Sequence, residues 1–479
     1  MKKPRFKQFN RLAVVTAITG LQLGAAALHG ATLSDEDVQA LVKRVNELEQ
    51  QVKILQRNRE VDQDVATDKA KESAMVSLGT TGLVVKSGDS NFTMIAHGYV
   101  QADARNYIGS KATPDEFLLR RVRPIVEGTI WDKFNYRLML DLASGSVTGS
   151  TANNVGILDD AYLNARIFDD LQVQAGKFKS PVGLERLQST ADLFFVETGF
   201  ATELTPNYDL GVEVHNDLFT SPIAYAVGVF NGASDNASDD AETDEGKDVA
   251  GRLFLQPFLK KNIAPLRNLG FGVAGSYGEH NGGSLTSYKT PGQQTMFTYA
   301  NAAPGGDLYR IDPQLFWYWG PFGLEGEYNL SSQKLISTKT GAGIPPYQRF
   351  NNTAWQVEAS YFLTDEENSF KASSLKHVTP WHRFAPTQGE WGAFEVVARV
   401  QQLSLDENAF TSHAGTSYAA AGSAQRATAW GVGLNWYLNE NLKLNLDYES
   451  TTFHGGTALA GSATSRPEHV ILSRIQFQF

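Results

Sequence analysis

From residue 91 onward the apolar residues recur at every second position rather than every third or fourth. Phe134, Tyr136, Leu138, Leu140 and Leu142 alternate with Asn135, Arg137, Met139 and Asp141. Leu442, Leu444, Leu446 and Tyr448 alternate with Lys443, Asn445, Asp447 and Glu449. A period of two puts successive side chains on opposite faces of a strand, so each segment has one apolar face and one charged face. About sixteen such segments follow one another, near 91–107, 116–131, 133–143, 156–167, 170–178, 208–217, 221–231, 246–258, 267–278, 306–319, 321–333, 351–363, 390–403, 426–438, 441–452 and 467–479. Most run 9–14 residues, enough to cross a bilayer when tilted.

The connections alternate in length. Asp132-Lys133, Asp169-Asp170, Gly320-Pro321 and Asn439-Glu440-Asn441 are short, whereas 144–155, 179–207, 232–245, 279–305, 404–425 and 453–466 are long. A transmembrane barrel has this asymmetry, with short periplasmic turns and long outer loops. A soluble sandwich also alternates, but it gives no reason for the loop lengths or for arginines and carboxylates on the polar faces. In a closed barrel the backbone is satisfied between strands, the apolar face meets lipid and the charged face meets water. One connection departs from the rule: 364–389 falls on the short-turn side but has 26 residues. The expected fold is therefore all-β, a 16-stranded antiparallel transmembrane β-barrel over 91–479, preceded by a short N-terminal coiled-coil helix.

Ahead of the barrel, Met1–Arg11 is basic, Leu12–Leu28 is apolar and small residues follow, the layout of a secretory signal peptide over 1–31. Residues 34–60 read as a periplasmic coiled coil. Val38, Leu41, Val45, Leu48, Val52 and Leu55 keep a heptad seam, with charged residues between them. Taken alone, Val and Leu in that seam lean to a dimer. Residues 61–90 read as a linker.

The chain carries 42 Lys+Arg against 52 Asp+Glu, a formal charge of −10, which disfavours nucleic acid as a partner. It has no cysteine, so disulfides, thiolate metal sites and a Cys nucleophile are excluded. No motif pairs one of the nine His with a nucleophile, so no catalytic residue, metal site or cofactor is expected. A barrel enzyme and a stalked structural or adhesin-like barrel are the competing classes.

Several motifs carry a resemblance. They are Leu119-Arg120-Arg121-Val122-Arg123-Pro124, Leu158-Asp159-Asp160-Ala161-Tyr162, Gly176-Lys177-Phe178-Lys179-Ser180-Pro181-Val182-Gly183-Leu184-Glu185 and Trp430-Gly431-Val432-Gly433-Leu434-Asn435-Trp436-Tyr437. With them the chain resembles the phosphate-selective porins O and P of Gram-negative outer membranes. The resemblance implies a sixteen-stranded barrel, a homotrimer, an outer-membrane location among lipid and lipopolysaccharide, and passive diffusion of small anions such as phosphate or polyphosphate. It also implies an arginine cluster on a mid-chain loop, but 279–305 has Lys289 as its only Lys or Arg. A general, non-specific porin is the alternative.

Strand parity points Arg105, Arg121, Arg123, Arg137, Arg166, Arg252, Arg310 and Arg399 into the lumen, where guanidinium groups can grip oxyanions. Acids such as Asp141, Asp160, Glu213, Glu327, Glu358 and Glu449 share that face and either orient the arginines or cancel them. The third outer loop, 179–207, is expected to fold inward and set a constriction through Lys179, Glu185, Arg186, Ser189, Thr190 and Asp192. The acidic run 235–245 reads as a solvated outer loop.

Overall fold

The computed structural model describes residues 34–479 except 110–112, 144–156, 218–220, 241–244, 262, 284, 369, 372–373, 376 and 458–461. The signal peptide expected over 1–31 lies outside the described residues. The chain divides into two units at the Glu72–Ser73 junction.

The first unit is helix α1, Asp35–Glu72. The Ser34 hydroxyl accepts a hydrogen bond from the Asp37 amide at 3.3 Å, and Asp35, Glu36 and Asp37 occupy the first turn, where the helix dipole favours acids. The helix runs past residue 60 because 61–72 contains neither Gly nor Pro and is rich in Ala, Lys and acids. The seam residues Val38, Leu41, Val45, Leu48, Val52 and Leu55 are all exposed.

The second unit opens with a hairpin of β1 (Met75–Gly79) and β2 (Gly82–Lys86), in the stretch read as a linker. Sixteen long strands follow: β3 (Phe92–Tyr107), β4 (Glu116–Ile130), β5 (Phe134–Asp141), β6 (Ile157–Phe168), β7 (Leu171–Lys179), β8 (Tyr208–His215), β9 (Ile223–Phe230), β10 (Asp248–Leu255), β11 (Asn268–Asn281), β14 (Ala302–Trp319), β15 (Phe322–Ser337), β16 (Tyr347–Phe362), β19 (Ala393–Ser404), β20 (Arg426–Asn439), β21 (Leu442–His454) and β22 (Glu468–Gln478). Two small hairpins sit in connections, β12 (Tyr288–Lys289) with β13 (Thr295–Phe297), and β17 (Phe370–Lys371) with β18 (Ser374–Leu375). Each long strand pairs antiparallel with its chain neighbours. The last closes on the first, from Val470 opposite Tyr107 to Gln478 opposite Tyr99. The expected 16-stranded antiparallel barrel is what forms. Beyond the C-terminal Phe479, β2 takes up the remaining edge of β3, Leu83 to Lys86 opposite Ala96 to Thr93.

Closure removes the sheet edge, which is the condition for strands to lie in hydrocarbon. The outward positions then carry exposed Val227, Val229, Leu253, Val273, Ile311, Val357, Val400, Val432, Leu446 and Ile475. An apolar belt of this extent is a lipid-facing surface. Trp131, Phe168, Trp319 and Trp391 are exposed at the short-turn end of the barrel, where an aromatic girdle meets the interface. Among the described residues no helix is long and apolar enough to cross a membrane.

The inner face is uneven, and this positions the site. Its inward residues on β7–β11 include Gly176, Gly211, Ala224, Ala226, Gly228, Ala250, Gly270, Gly272 and Ala274. Phe230 and Phe254 lie flat on this floor. A Cβ on Gly211 would come within 2.4 Å of the Phe230 ring, and one on Gly272 within 2.5 Å of Phe254. Around β14–β22 the inward residues are large and polar, including Arg310, Tyr318, Glu325, Glu358, Arg399, Tyr437 and Glu449.

Candidate pore and its lining

The connection between β7 and β8 turns into the barrel. It carries a short helix α2 (Leu184–Leu187) and a 3-10 turn (Phe200–Leu204), and almost all of it is buried. A loop inside a barrel has backbone donors and acceptors that no strand ladder meets, so side chains must meet them. The polar wall does so. Asp312 accepts from the Gly183 amide at 2.8 Å, and Glu327 accepts from Leu184 and Glu185 at 2.7 and 3.2 Å. Asp447 accepts from Val196 at 2.6 Å, and Gln401 accepts from Phe200 at 2.6 Å. Asn435, Lys443 and Gln476 donate to the carbonyls of Phe194, Leu193 and Ala191 at 2.9, 3.0 and 2.9 Å. Each bond to a buried charged group is worth about 1.5–3 kcal/mol, so the loop is a fixed partition across one half of the barrel. The inward acids of Asp312, Glu327 and Asp447 thus hold loop backbone.

The same partition decides where each lumen arginine ends up. Arg105 pairs with Glu116 at 2.8 Å and Glu197 at 3.2 Å. Arg121 donates to Gln101 at 2.9 Å and lies 3.6 Å from Glu197. Arg310 sits between Asp235 at 2.7 Å and Asp248 at 3.4 Å, fully buried. Arg399, also buried, meets Glu449 at 2.6 Å, Glu358 at 3.1 Å and Glu185 at 3.5 Å. Arg166 is exposed near the short-turn end, 3.8 Å from Asp217. Asp235, the first acid of the 235–245 run, is not solvated: it is buried and also accepts from Ser331 at 2.6 Å.

A cavity of about 330 Å³ remains between the loop and the wall with small residues. Arg123, Arg137 and Arg252 line it, with Lys179, Ser189 and Thr190 of the constriction set. Arg123 is steered by Asp141 at 2.9 Å and Asp159 at 2.7 Å, and donates to Tyr99 at 3.0 Å and Thr190 at 3.2 Å. Arg137 lies between Asp160 at 2.9 Å and Glu127 at 2.5 Å, with its side chain 25% exposed. The Lys179 ammonium donates to the Gln188 carbonyl at 2.8 Å and lies 5.5 Å from the Tyr208 ring centroid. Glu185, Arg186 and Asp192 are used otherwise, in holding the loop. Glu185 accepts from the Gly199 amide and from Gln356, each at 2.8 Å. Arg186 donates to Thr205 at 3.1 Å and Asn236 at 2.7 Å. Asp192 accepts from His377 at 3.1 Å. His377 belongs to the 26-residue connection, which thus reaches the loop from the short-turn side, and its other ring nitrogen lies 2.6 Å from the Glu440 carbonyl.

Glu197 is the electrostatic hub of the loop. Burial opposes its charge, but Arg120, Arg121, Arg474 and Arg105 more than offset this and hold the carboxyl well below the usual carboxylate range. Glu203, in the 3-10 turn, goes the other way. Burial pushes it up to about 7, against bonds from the Lys289 amide at 2.7 Å and Asn236 at 3.0 Å.

Among the aromatic residues of the cavity, Phe178, Tyr208 and Phe254 were not singled out by charge-based reading. The signal that finds them is the run of inward Gly and Ala on neighbouring strands, which only makes sense if something large lies over it.

A closed lipid-facing barrel with an inward-folded third loop defines an outer-membrane porin. Residues 95–479 match the family model described as phosphate-selective porin O and P, so the chain belongs to that family and to the bacterial outer membrane. It is 25% identical to Porin O of Pseudomonas aeruginosa over 398 residues, covering 77% of this chain and 84% of that protein. Among solved structures it is similar to an anion-selective porin from Comamonas acidovorans, with 10% identity, 81% of this chain and 100% of the other covered, and a TM-score of 0.48. It is also similar to the outer membrane channel DcaP of Acinetobacter baumannii, with 10% identity, 82% and 99% covered, and a TM-score of 0.47.

Proposed function

We propose that this chain is a passive channel, without catalytic activity, that favours small anions, phosphate among them, along the cavity beside the third loop. The observation that carries this is the convergence of Arg123, Arg137, Lys179 and Arg252 on one cavity, whose lining includes none of Arg105, Arg310 and Arg399, each buried against carboxylates. Guanidinium and ammonium groups lining a narrow water path raise the local concentration of anions. Zero-current potentials across a KCl gradient test it. A chloride-favouring sign is expected, and a potassium-favouring sign overturns the anion preference. The second reading, a general porin for small hydrophilic solutes, draws on Asp160 and Glu213, which line the same cavity.

The functional unit in this reading is a homotrimer in lipid and lipopolysaccharide. Its α1 helices pair through the exposed Val/Leu seam, which has no apolar cover of its own. Residues 1–31 act as the export signal.

A further inference from the structure

The strands of the barrel are unequal. β7 to β10 have 8 or 9 residues, whereas β14, β15 and β16 have 18, 16 and 16, and β20 and β21 have 14 and 13. About 9–11 residues cross the hydrocarbon. At the short-turn end the long strands stay level with their neighbours, Asn268 opposite Tyr318 and Phe322 opposite Tyr361, so the surplus lies at the long-loop end. It carries the outer wall of these strands about 10–15 Å past the apolar layer.

The outward side chains there are polar. Lys334 is in register with Arg349. Thr353, Ser404, Arg426 and His454 form one row across β16, β19, β20 and β21, and Gln402, Thr428 and Thr452 the row below. At the long-loop ends of β3 and β4 the outward residues are instead Ala102, Ala104, Leu119 and Phe117.

Lys334 and Arg349 are like charges directly opposite each other, which is destabilising unless an anion lies between them. Asp307 takes one side of Arg349, whose Nη1 also donates to Ser332 at 3.1 Å. The Lys334 ammonium stands 4.4 Å from the Tyr347 ring centroid, with no ion pair among the described residues. Its stem crosses Gly306, where a Cβ would come within 2.6 Å, so the lysine is positioned with its charge unmatched. Of the neighbouring acids, Asp406 accepts from the Asn351 and Asn408 amides at 2.8 and 3.0 Å, and Glu279 stands opposite Asp307 on β11, two strands from β15.

We infer that the outward arc from β15 to β21 is a docking surface for a phosphorylated glycolipid of the outer leaflet, the chemical class of lipopolysaccharide. A phosphate meets Lys334 and Arg349, the hydroxyl and amide rows meet the sugars, and the acyl chains lie on the apolar belt below. This rests on the lipid setting of the proposed reading and names its site.

The test is native mass spectrometry of the detergent-solubilised full chain titrated with diphosphorylated lipid A, dephosphorylated lipid A and phosphatidylglycerol. The diphosphorylated form is expected to half-saturate at a concentration at least about tenfold below the other two. Lys334→Gln with Arg349→Gln should weaken it at least about tenfold and leave single-channel conductance unchanged, since both residues lie outside the pore. Lys334→Gln alone should weaken it about fivefold and decides should the double variant not insert. Equal binding of the three lipids, or equal weakening by Lys133→Gln at the short-turn end, overturns the inference. Displacement of the lipid by inorganic phosphate at the same concentration makes this a free-phosphate site and overturns it too. So does protection of Lys334 from an amine reagent in the lipid-free oligomer but not in the monomer, which makes the face a contact between copies. A wild type that binds the lipid yet carries no current overturns the channel reading and leaves this inference standing.

Discussion

Glu197→Gln removes one charge from the most densely paired position of the third loop. The wild-type carboxylate is 1% exposed and lies within 3.7 Å of four guanidiniums: Arg120 at 2.6 Å, Arg105 at 3.2 Å, Arg121 at 3.6 Å and Arg474 at 3.7 Å. Asp103 retains its two bonds to Arg474, at 2.7 Å each, and Glu116 retains Arg105 at 2.8 Å. Arg120 and Arg121 keep no carboxylate within 4.0 Å among those described. Breaking a buried pair costs about 3–5 kcal/mol, and four contacts to one carboxylate do not add, so the expected loss is about 3–5 kcal/mol in total. The assay is urea unfolding of the reconstituted barrel followed by tryptophan fluorescence, wild type against variant, across pH. Because the folded carboxyl is held below its usual value, its stabilisation is present above pH 4.5 and fades only as pH falls through the depressed value. The two proteins should therefore differ fully at neutral pH and still differ near pH 5, converging only in stronger acid. Equal midpoints at neutral pH, or convergence by about pH 5, would refute the reasoning.

Three further outcomes are expected. Arg137→Gln, in the cavity wall, should reduce the chloride preference in zero-current potentials; an unchanged ratio removes Arg137 from the lining that matters. Gly272→Val sets a Cβ 2.5 Å from both the Phe254 ring and the Leu253 carbonyl, so it should cost about 1–3 kcal/mol in urea unfolding and push Phe254 into the cavity, lowering single-channel conductance. Burial lowers His377, but Asp192 more than offsets it and the net pKa is raised above 6.5, so the His377–Asp192 pair stabilises below that pH and is lost as pH rises through the raised value. The wild-type unfolding midpoint should fall over this range more than that of Asp192→Asn, and parallel pH profiles contradict the assignment.

The strands were legible because a period of two, broken by short turns, survives in any barrel whose outside meets lipid. The terminal run Ile475, Phe477, Phe479 shows this to the last residue. Parity put Arg121 and Arg123 on one face but missed Arg120, which sits at a break in the β3–β4 register and reaches Glu197, and a face is in any case not an environment. Arg121 and Arg123 are two residues apart on one strand, yet Arg121 lies toward Glu197 and Arg123 lines the cavity. That difference depends on where a 28-residue loop crosses the lumen, and the loop is held by long-range bonds such as Val196 to Asp447, which no local pattern records. The acids that made the charge pattern look ambiguous, Asp312, Glu327 and Asp447, are explained once they are seen accepting loop amides. The hairpin Met75–Lys86 was missed because its partner is the short stretch of β3 beyond the C-terminus.

The central claim is that the water path runs along the Gly- and Ala-lined wall of a membrane-spanning barrel. The chain has no cysteine, so single cysteines can be placed on a clean background. Ala226 lines the cavity and the next residue, Val227, faces outward at 56% exposure. A water-soluble, charged thiol reagent added to open channels should lower the current through Ala226→Cys and leave Val227→Cys unchanged. Current through Ala226→Cys that ignores the reagent, or equal loss in both variants, contradicts the account.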